Sequence, residues 1–206
     1  MQKYCYTIIE TPIGFIVPFW FAEPCFYLQR VCIVDTSFSL IHMFDEFDCM
    51  GIDNEKALSR QQFIQDFERS NRIKELEKLF KSYSVFVKSS HHHIRLFRKS
   101  LDLYFSLKID IKFSPDLLNL ENFSNFARSV LFTLKDIPIG QVISYGHLAE
   151  LSGYSKAFRA VGSVMNKNPF PLIIPCHRVI RSNGNIGEFA LGKDMKKYLL
   201  KHESLK

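Results

Sequence analysis

Apolar and polar residues form short blocks over the first part of the chain, and proline and glycine separate the blocks. This pattern predicts extended segments at Cys5–Ile9, Gly14–Phe19 and Leu28–Val34. Between Glu55 and Leu79, apolar residues recur at helical spacing among Glu, Lys, Arg and Gln, which predicts a helix. Together these elements predict an N-terminal α/β domain.

The clearest two-residue period of the chain lies between residues 101 and 113. Every second residue there is apolar, and the residues between them are Asp, Tyr, Ser and Lys. Such alternation predicts a half-buried β-strand. The Ser-Pro-Asp sequence at 114–116 would end the strand and begin a linker. The chain is therefore predicted to divide into domains at residues 1–116 and 121–206.

From Phe123 the apolar period becomes helical. A first helix is predicted from a stripe of six residues: Phe123, Phe126, Ala127, Val130, Leu131 and Leu134. The Pro-Ile-Gly sequence at 138–140 would end it. Ser144 is then expected to cap a short helix that runs to Leu151, and Gly153 is expected to turn the chain.

A second short helix is expected after this turn, with Ser155 as its cap. Its apolar stripe would consist of four residues: Ala157, Ala160, Val161 and Val164. Two short helices joined in this way predict a helix-turn-helix. Arg159, Gly162 and Ser163 would lie opposite the stripe, so the helix would present one cation among small side chains. Such a surface can approach a DNA groove closely.

Positive charge is concentrated in the second part of the chain. Residues 1–119 hold equal numbers of basic and acidic side chains, whereas residues 120–206 hold 12 Lys and Arg against 6 Asp and Glu. The excess accounts for the whole net charge of +6. A basic surface of this kind is expected where a protein meets phosphates. A solvated basic face without a ligand is the alternative.

The sequence contains no apolar run of membrane-spanning length. The most apolar early run, residues 15–20, is six residues long and contains a proline, so neither a spanning helix nor a secretory signal is expected. Five cysteines, an odd number, predict reduced thiols rather than a disulfide framework. We expect a cytoplasmic protein, or a nuclear one in a eukaryote, with no membrane partner.

The Pro175-Cys176-His177-Arg178 sequence carries the candidate chemistry. The thiolate is the attacking form of cysteine, and the pKa of a free thiol is about 8.5. An adjacent imidazole is a common means of raising the thiolate fraction at neutral pH. Cys176 and His177 are therefore a candidate activated nucleophile. A buried cysteine that acts as a small apolar side chain is the alternative.

Further motifs stand in order around this pair. They are Gly140-Gln141-Val142-Ile143-Ser144-Tyr145, Arg159-Ala160-Val161-Gly162, Asn168-Pro169, and Leu199-Leu200 before Glu203. With the Pro-Cys-His-Arg sequence, these motifs resemble the O6-alkylguanine-DNA alkyltransferases (methylated-DNA–protein-cysteine methyltransferases). The resemblance covers about residues 123–203. The rest of the chain resembles the family faintly, chiefly through Thr11-Pro12-Ile13-Gly14.

The resemblance implies an α/β (α+β) protein of two domains, with a small ribonuclease-H-like sheet and helix at the N-terminus and a helical, winged helix-turn-helix domain at the C-terminus. It implies DNA repair by irreversible transfer of an alkyl group, such as methyl, from O6-alkylguanine in double-stranded DNA to Cys176. The damaged base would be flipped into a pocket. One protein molecule would repair one lesion, because a thioether has no carbonyl for water to attack. We expect a monomer without a cofactor.

The resemblance also implies catalytic roles. His177 would take the thiol proton through a water, Glu203 would orient His177, and Tyr145 would donate to the leaving guanine. Asn168 would bridge the active-site segment and the recognition helix. The structural alternatives are a core-packing tyrosine, an ordinary buried histidine, a surface carboxylate and a plain turn before a proline.

DNA contacts are implied for the second helix of the helix-turn-helix, which members of the family dock into the minor groove. Arg159 would occupy the space that the flipped nucleotide leaves, and Ala160, Gly162, Ser163 and Tyr145 would also contact DNA. A solvent-facing arginine on an ordinary helix is the alternative for Arg159.

The implied substrate pocket is formed by four residues: Met165, Val179, Phe189 and Ala190. Phe189 keeps the aromatic wall but lacks the hydroxyl that is usual in the family. Contacts from the main chain to the base do not depend on side-chain identity. The N–H of Ala190 and the carbonyls of Cys176 and Val179 could therefore still contact the base. Glu188 and Leu191 also depart from the family pattern, and they put loop flexibility and substrate range in doubt.

Some members of the family bind zinc in the early chain. Cys5, Cys25, Cys32 and His91-His92-His93 could supply ligands here, but no Cys-x-x-Cys spacing exists, so no metal site is predicted.

Two functions of other classes stay open. One is a helix-turn-helix protein that recognises alkylated or regulatory DNA without reacting. The other is a thiol hydrolase with Cys176, His177 and Glu203 as its triad.

Overall fold

Strands near the N-terminus form one sheet. The computed structural model describes residues 4–7, 9–21, 25–34, 86–88 and 91–204. The strands of this sheet are β1 (Tyr4–Tyr6), β2 (Ile9–Thr11), β3 (Gly14–Phe21), β4 (Tyr27–Val34) and β5 (Phe86–Lys88). β3 pairs antiparallel with β4, β2 and β1, and β1 pairs in parallel with β5. The predicted extended segments are confirmed, with Cys5–Ile9 divided between two strands.

The turn between β2 and β3 is formed by Thr11-Pro12-Ile13-Gly14. Gly14 has a φ of 106°, a conformation that favours glycine, and the Thr11 hydroxyl donates to the Gly14 carbonyl at 2.7 Å. Pro18 has no N–H and lies between the stretch of β3 that pairs with β2 and the stretch that pairs with β1. The proline is thus accommodated inside a long strand.

The strand predicted at residues 101–113 is wrong. His92–Leu107 form helix α1, which buries residues at helical spacing: Ile94, Phe97, Leu101 and Tyr104. The helix forms because this apolar face continues back to Ile94, beyond the alternating stretch, and because His91 caps it by accepting the N–H of His93. Lys108 ends the helix in the left-handed conformation, with a φ of 53°. The residues from Lys108 to Ser114 form neither a helix nor a strand.

Residues 114–121, predicted as a linker, pack against the sheet. Pro115–Leu117 form a 3₁₀ turn, and Leu118 and Leu120 are buried. The N–H of Asn119 donates to the carbonyl of Leu28 in β4 at 2.9 Å. One buried core runs through this segment from the sheet to the C-terminal helices. The division into domains at 116 and 121 stays a prediction.

The remaining elements of the described chain follow one another closely. They are α2 (Asn125–Lys135), β6 (Ile143–Ser144), α3 (Tyr145–Leu151), α4 (Phe158–Asn166), β7 (Val179–Ile180) and α5 (Lys193–Glu203). The two predicted helices before Gly153 are confirmed. α2 begins after Phe123 because Ser124 caps it, and the Ser144 hydroxyl accepts the N–H of His147 at 3.1 Å.

Two details predicted for the following helix are wrong. Ser155 does not cap it, because Lys156 adopts a left-handed φ of 69° and keeps both residues in a turn; α4 begins at Phe158. Ala160 is exposed rather than part of the core. The buried stripe consists of Val161, Val164 and Met165, and Ala160 lies at its edge.

The C-terminal ends of α1 and α5 lie against each other. Lys108 Nζ donates to the carbonyl of Ser204 at 2.9 Å, and His202 Nε2 lies 3.1 Å from the carbonyl of Tyr104. The helix predicted at Glu55–Leu79 lies outside the described residues. Within the described part of the chain, no helix has the length and apolar character needed to cross a membrane.

Candidate active site

Cys176 lies on a short turn that follows a buried apolar run. Cys176–Arg178 form a single 3₁₀ turn, in which the N–H of Arg178 donates to the carbonyl of Pro175 at 2.9 Å. The turn leads into β7, which pairs in parallel with β6. Because α3 begins where β6 ends, this pairing brings the turn close to Tyr145.

Asn168 connects the end of α4 to the Cys176 turn. Its Nδ2 donates to the carbonyl of Ile174 at 2.8 Å and contacts Cys176 Sγ at 3.1 Å. Its Oδ1 accepts the N–H of Phe170 at 3.0 Å. The Asn168 side chain therefore joins the end of α4 to the segment before Cys176 and touches the sulfur directly, and its role stays a prediction.

The Cys176 thiol is buried, with 5% of the residue exposed. Burial raises the pKa of the thiol, and the Asn168 hydrogen bond and the nearby charge of Lys196 only partly oppose that effect. The resting group is therefore the thiol, not the thiolate that the neighbouring imidazole suggests from sequence. Reaction needs a group that removes the proton.

His177 is buried and paired with Glu203, with 2.7 Å between Nε2 and Oε1. Burial lowers the pKa of His177, and Glu203 opposes this shift. A neutral ring that faces an ionised carboxylate must carry its proton on Nε2, because the carboxylate can only accept. Nδ1 is then the nitrogen that can receive a proton, which suits a general base.

The buried Glu203 carboxylate accepts hydrogen bonds from several side chains. Arg178 donates to both of its oxygens, from Nε to Oε2 at 2.8 Å and from NH2 to Oε1 at 2.9 Å. Tyr104 donates its hydroxyl to Oε1 at 2.7 Å. Burial by itself would raise the pKa of Glu203, but the His177 and Arg178 hydrogen bonds outweigh it and lower the pKa to about 2. The carboxylate is ionised at neutral pH.

Tyr104 and Asp110 belong to this network, and sequence reasoning missed both. Asp110 pairs with Arg178 NH1 at 2.9 Å and accepts the N–H of Ile139 at 3.1 Å. The two residues lie in the stretch that was predicted to be a strand, so no site was sought there. The helical spacing of Phe97, Leu101 and Tyr104 is the signal that could have placed Tyr104 on a buried face.

Lys196 is fully buried beneath the active-site loop, and sequence reasoning missed it as well. Its Nζ donates to the carbonyl of Val179 at 2.6 Å, and it lies 3.4 Å from the carbonyl of Glu188. Burial lowers its pKa to about 8. A signal existed, because Lys196, Leu199 and Glu203 share one face of α5 at helical spacing.

Tyr145 is the first residue of α3 and is half-buried. A Cβ on Gly187 would lie 3.6 Å from its hydroxyl, and a Cβ on Gly162 would lie 4.0 Å from its ring. The ring therefore lies between α4 and the loop after β7. Burial raises the pKa of the phenol, and Cys176 raises it further when the sulfur is ionised, so Tyr145 keeps its proton and can donate.

The four residues predicted to form the substrate pocket differ in their burial. Met165 and Val179 are buried, Phe189 is half-buried and Ala190 is exposed. The Phe189 ring lies 6.4 Å from the His177 ring, edge to face. The carbonyls predicted to bind the base already accept hydrogen bonds, that of Val179 from Lys196 and that of Cys176 from the N–H of Val179. Each carbonyl retains a second lone pair.

The predicted DNA-facing residues lie on one side of α4. Arg159, Ala160 and Ser163 are exposed, and Gly162 is half-buried. The guanidinium carbon of Arg159 lies 5.7 Å from the centre of the exposed Phe158 ring. The roles of these residues stay predictions.

The early cysteines and histidines do not form a metal site in the described part of the chain. Cys5 is buried in β1, Cys25 is exposed, and Cys32 lies in β4. His91 and His93 stack beside the Phe26 ring, and His92 contacts His93. Among the described residues, no three His, Cys, Asp or Glu side chains are grouped so that they could hold a metal ion.

Residues 125–205 match the family model of the 6-O-methylguanine DNA methyltransferase, DNA binding domain, which confirms the resemblance. The methylated-DNA–protein-cysteine methyltransferase of Methanosarcina acetivorans is 41% identical over 108 residues, 51% of this chain and 65% of that protein. That of Homo sapiens is 50% identical over 80 residues, 38% of this chain and 39% of that protein. The chain thus spans less than two thirds of the length of these relatives.

Solved structures show a similar mixed α/β fold. The crystal structure of Mycobacterium tuberculosis OGT in complex with DNA has a TM-score of 0.61 at 22% identity, and the alignment covers 97% of this chain and 92% of that one. O6-methylguanine-DNA methyltransferase from the archaeon Pyrococcus kodakaraensis has a TM-score of 0.60 at 21% identity, covering 98% and 99%. At these identities the similarity is one of fold.

Proposed function

We propose that this chain, whose residues 125–205 match the DNA-binding domain of the 6-O-methylguanine DNA methyltransferases, repairs DNA by stoichiometric transfer of an alkyl group from O6-alkylguanine to Cys176. The observation that carries the proposal is the arrangement around the thiol. Asn168 holds the sulfur at 3.1 Å, and the next residue, His177, is a buried neutral imidazole paired with Glu203 at 2.7 Å. This arrangement suits an activated sulfur nucleophile.

The reaction forms one bond and breaks one. Sγ of Cys176 attacks the alkyl carbon, and the bond between that carbon and O6 breaks with its electron pair going to the guanine. His177 receives the thiol proton through a water, and Tyr145 donates a hydrogen bond or proton to the leaving guanine. The products are guanine and a Cys176 thioether. The net change moves one proton from the thiol to the guanine.

The first test is whether the protein is consumed. We expect intact-mass and peptide mass spectrometry, after incubation with O6-methylguanine duplex, to show about one methyl group per protein, on Cys176, because a thioether cannot be hydrolysed as an acyl group can. A control duplex with unmodified guanine should leave no adduct. Sustained turnover would indicate a hydrolase, and binding without an adduct would indicate a DNA-recognition protein.

We also propose that helices α3 and α4 act as a winged helix-turn-helix that docks double-stranded DNA with the damaged base flipped out. The exposed Arg159, the small residues beside it and the net charge of +6 on residues 120–206 support this. Residues 1–116, with their ribonuclease-H-like sheet and helix, would form a separate domain. The protein would act as a monomer in the cytoplasm, or in the nucleus of a eukaryote.

Replacing Arg159 with alanine should separate DNA docking from chemistry. We expect repair of a duplex lesion to slow by about tenfold or more, while reaction with free O6-alkylguanine base changes little, because the arginine would stabilise the flipped state rather than touch the thiol. Single-turnover rates on both substrates provide the measurement. Arg95→Ala, an exposed arginine on α1, is the matched control. Equal losses on duplex and free base would contradict this role.

A further inference from the structure

Tyr104 reaches the active site from a helix that lies outside residues 125–205. Its hydroxyl lies 2.7 Å from Oε1 of Glu203, across 99 positions of sequence. Both residues are 1% exposed. The hydrogen bonds from Lys108 to Ser204 and from His202 to Tyr104 fix the end of α1 against the end of α5. Helix α1 is thus packed so that it holds the Tyr104 hydroxyl against the Glu203 carboxylate.

The Glu203 carboxylate is surrounded by donors. Oε1 receives Tyr104 at 2.7 Å, His177 at 2.7 Å and Arg178 at 2.9 Å, while Oε2 receives Arg178 at 2.8 Å. A carboxylate offers about four lone-pair sites, so these contacts occupy nearly all of them. Arg178 fixes the plane of the group through both oxygens. Tyr104 and His177 both contact Oε1. Removing the phenol hydroxyl therefore changes the charge on the oxygen that pairs with the imidazole.

We propose that Tyr104 is a positioning residue for the alkyl transfer, in that its hydroxyl holds Glu203 Oε1 where this oxygen orients the His177 ring to receive the thiol proton. The inference rests on the proposed function and extends it to α1. Tyr104 acts through Glu203 and His177, and not on the reacting atoms themselves. The reactive network therefore includes a part of the chain that the matched DNA-binding domain does not contain.

The phenol also moderates the charge that His177 faces. A neutral donor on Oε1 draws negative charge away from the oxygen that pairs with Nε2. Without the hydroxyl, Glu203 would stabilise a protonated ring more strongly, and the pKa of His177 would rise. The His177 ring would then lose its proton, and so be able to accept the thiol proton, only at higher pH. The other charged or titratable groups that face this network are Arg178, Asp110, Lys196 and His202, and Tyr104→Phe leaves all of them in the chain.

The experiment compares Tyr104→Phe with the wild type and with Tyr198→Phe, which removes a hydroxyl from the exposed side of α5. One measurement is the single-turnover rate with free O6-alkylguanine base as a function of pH. The other is the rate at which iodoacetamide labels Cys176, followed by peptide mass spectrometry over the same pH range. The second measurement needs no repair activity.

For Tyr104→Phe we expect both rates to fall by about tenfold at neutral pH, as expected for loss of one hydrogen bond to a charged group. The acid limb of both pH profiles should move to higher pH. Tyr198→Phe should leave both profiles unchanged. A purely structural tyrosine would lower the thermal midpoint without moving the acid limb, and that result would overturn the proposal.

A second substitution keeps the proposal testable if Tyr104→Phe does not fold. Tyr104→3-fluorotyrosine keeps the ring and strengthens the donor, so the acid limb should move to lower pH, and an unmoved limb would overturn the proposal. If the wild type transfers no alkyl group, the proposed function fails. The iodoacetamide profiles then decide the role of Tyr104 independently.

Discussion

Replacing Glu203 with glutamine is expected to lower the free energy of unfolding by about 3 kcal/mol, because the buried Arg178 guanidinium loses its closest charged partner. Arg178 is 3% exposed and, among the described residues, keeps only Asp110 as a carboxylate partner. Urea denaturation at neutral pH provides the measurement. Glu188→Gln removes an exposed ion pair with Lys193 and is the matched control, for which little change is expected. Equal losses in the two variants would contradict the prediction.

The pH dependence of this stabilisation follows from the lowered pKa of Glu203. The pKa falls from an ordinary value of 4.5 to about 2 in the folded protein, so the unfolded state binds the proton more readily. The stabilisation is fully present above pH 4.5 and is lost as pH falls towards 2. We therefore expect the difference in stability between wild type and Glu203→Gln to shrink on acidification through this window. A difference that grew there would contradict the ionised, hydrogen-bonded carboxylate.

Replacing Cys176 with alanine is expected to abolish alkyl transfer completely, because no other group in the site supplies the attacking sulfur. Binding to lesion-containing duplex should persist, since α4 and the basic side chains around it are unchanged. Mass spectrometry and a fluorescence binding titration measure the two quantities on the same preparation. Cys25→Ala, which changes an exposed cysteine, should behave as the wild type. Transfer by the Cys176→Ala protein would refute the proposed nucleophile.

Helices α2 and α3 could be predicted because their signals are local. Ser144 lies three residues before the amide that it caps, and Gly153 turns the chain with a φ of 86°. The local pattern of apolar residues did not predict helix α1. Its apolar residues from 101 to 107 alternate, but only Leu101 among them lies on the buried helical face, and the upstream residues Ile94 and Phe97 reveal that face.

Because residues 101–113 were predicted to form a strand, two residues of the candidate site could not be recognised from the sequence. Tyr104 and Asp110 lie in the stretch predicted as a half-buried strand, and a strand there does not indicate contacts with Glu203 or Arg178. The resemblance could not compensate, because its motifs begin near residue 123. Lys196 is not among the predicted site residues, although its spacing from Leu199 and Glu203 places it on the buried face of α5.

The sequence by itself predicted Cys176 and His177 as the candidate reactive pair and placed helices α2 and α3, because these features depend on residues a few positions apart. Only the tertiary structure decided that Cys176 and His177 are buried, which favours the neutral thiol and the neutral imidazole. It also decided that Glu203 is shared between His177, Arg178 and Tyr104. The physical reason is that burial and long-range hydrogen bonds set these protonation states, and both arise only when α1 and α5 pack together around the turn.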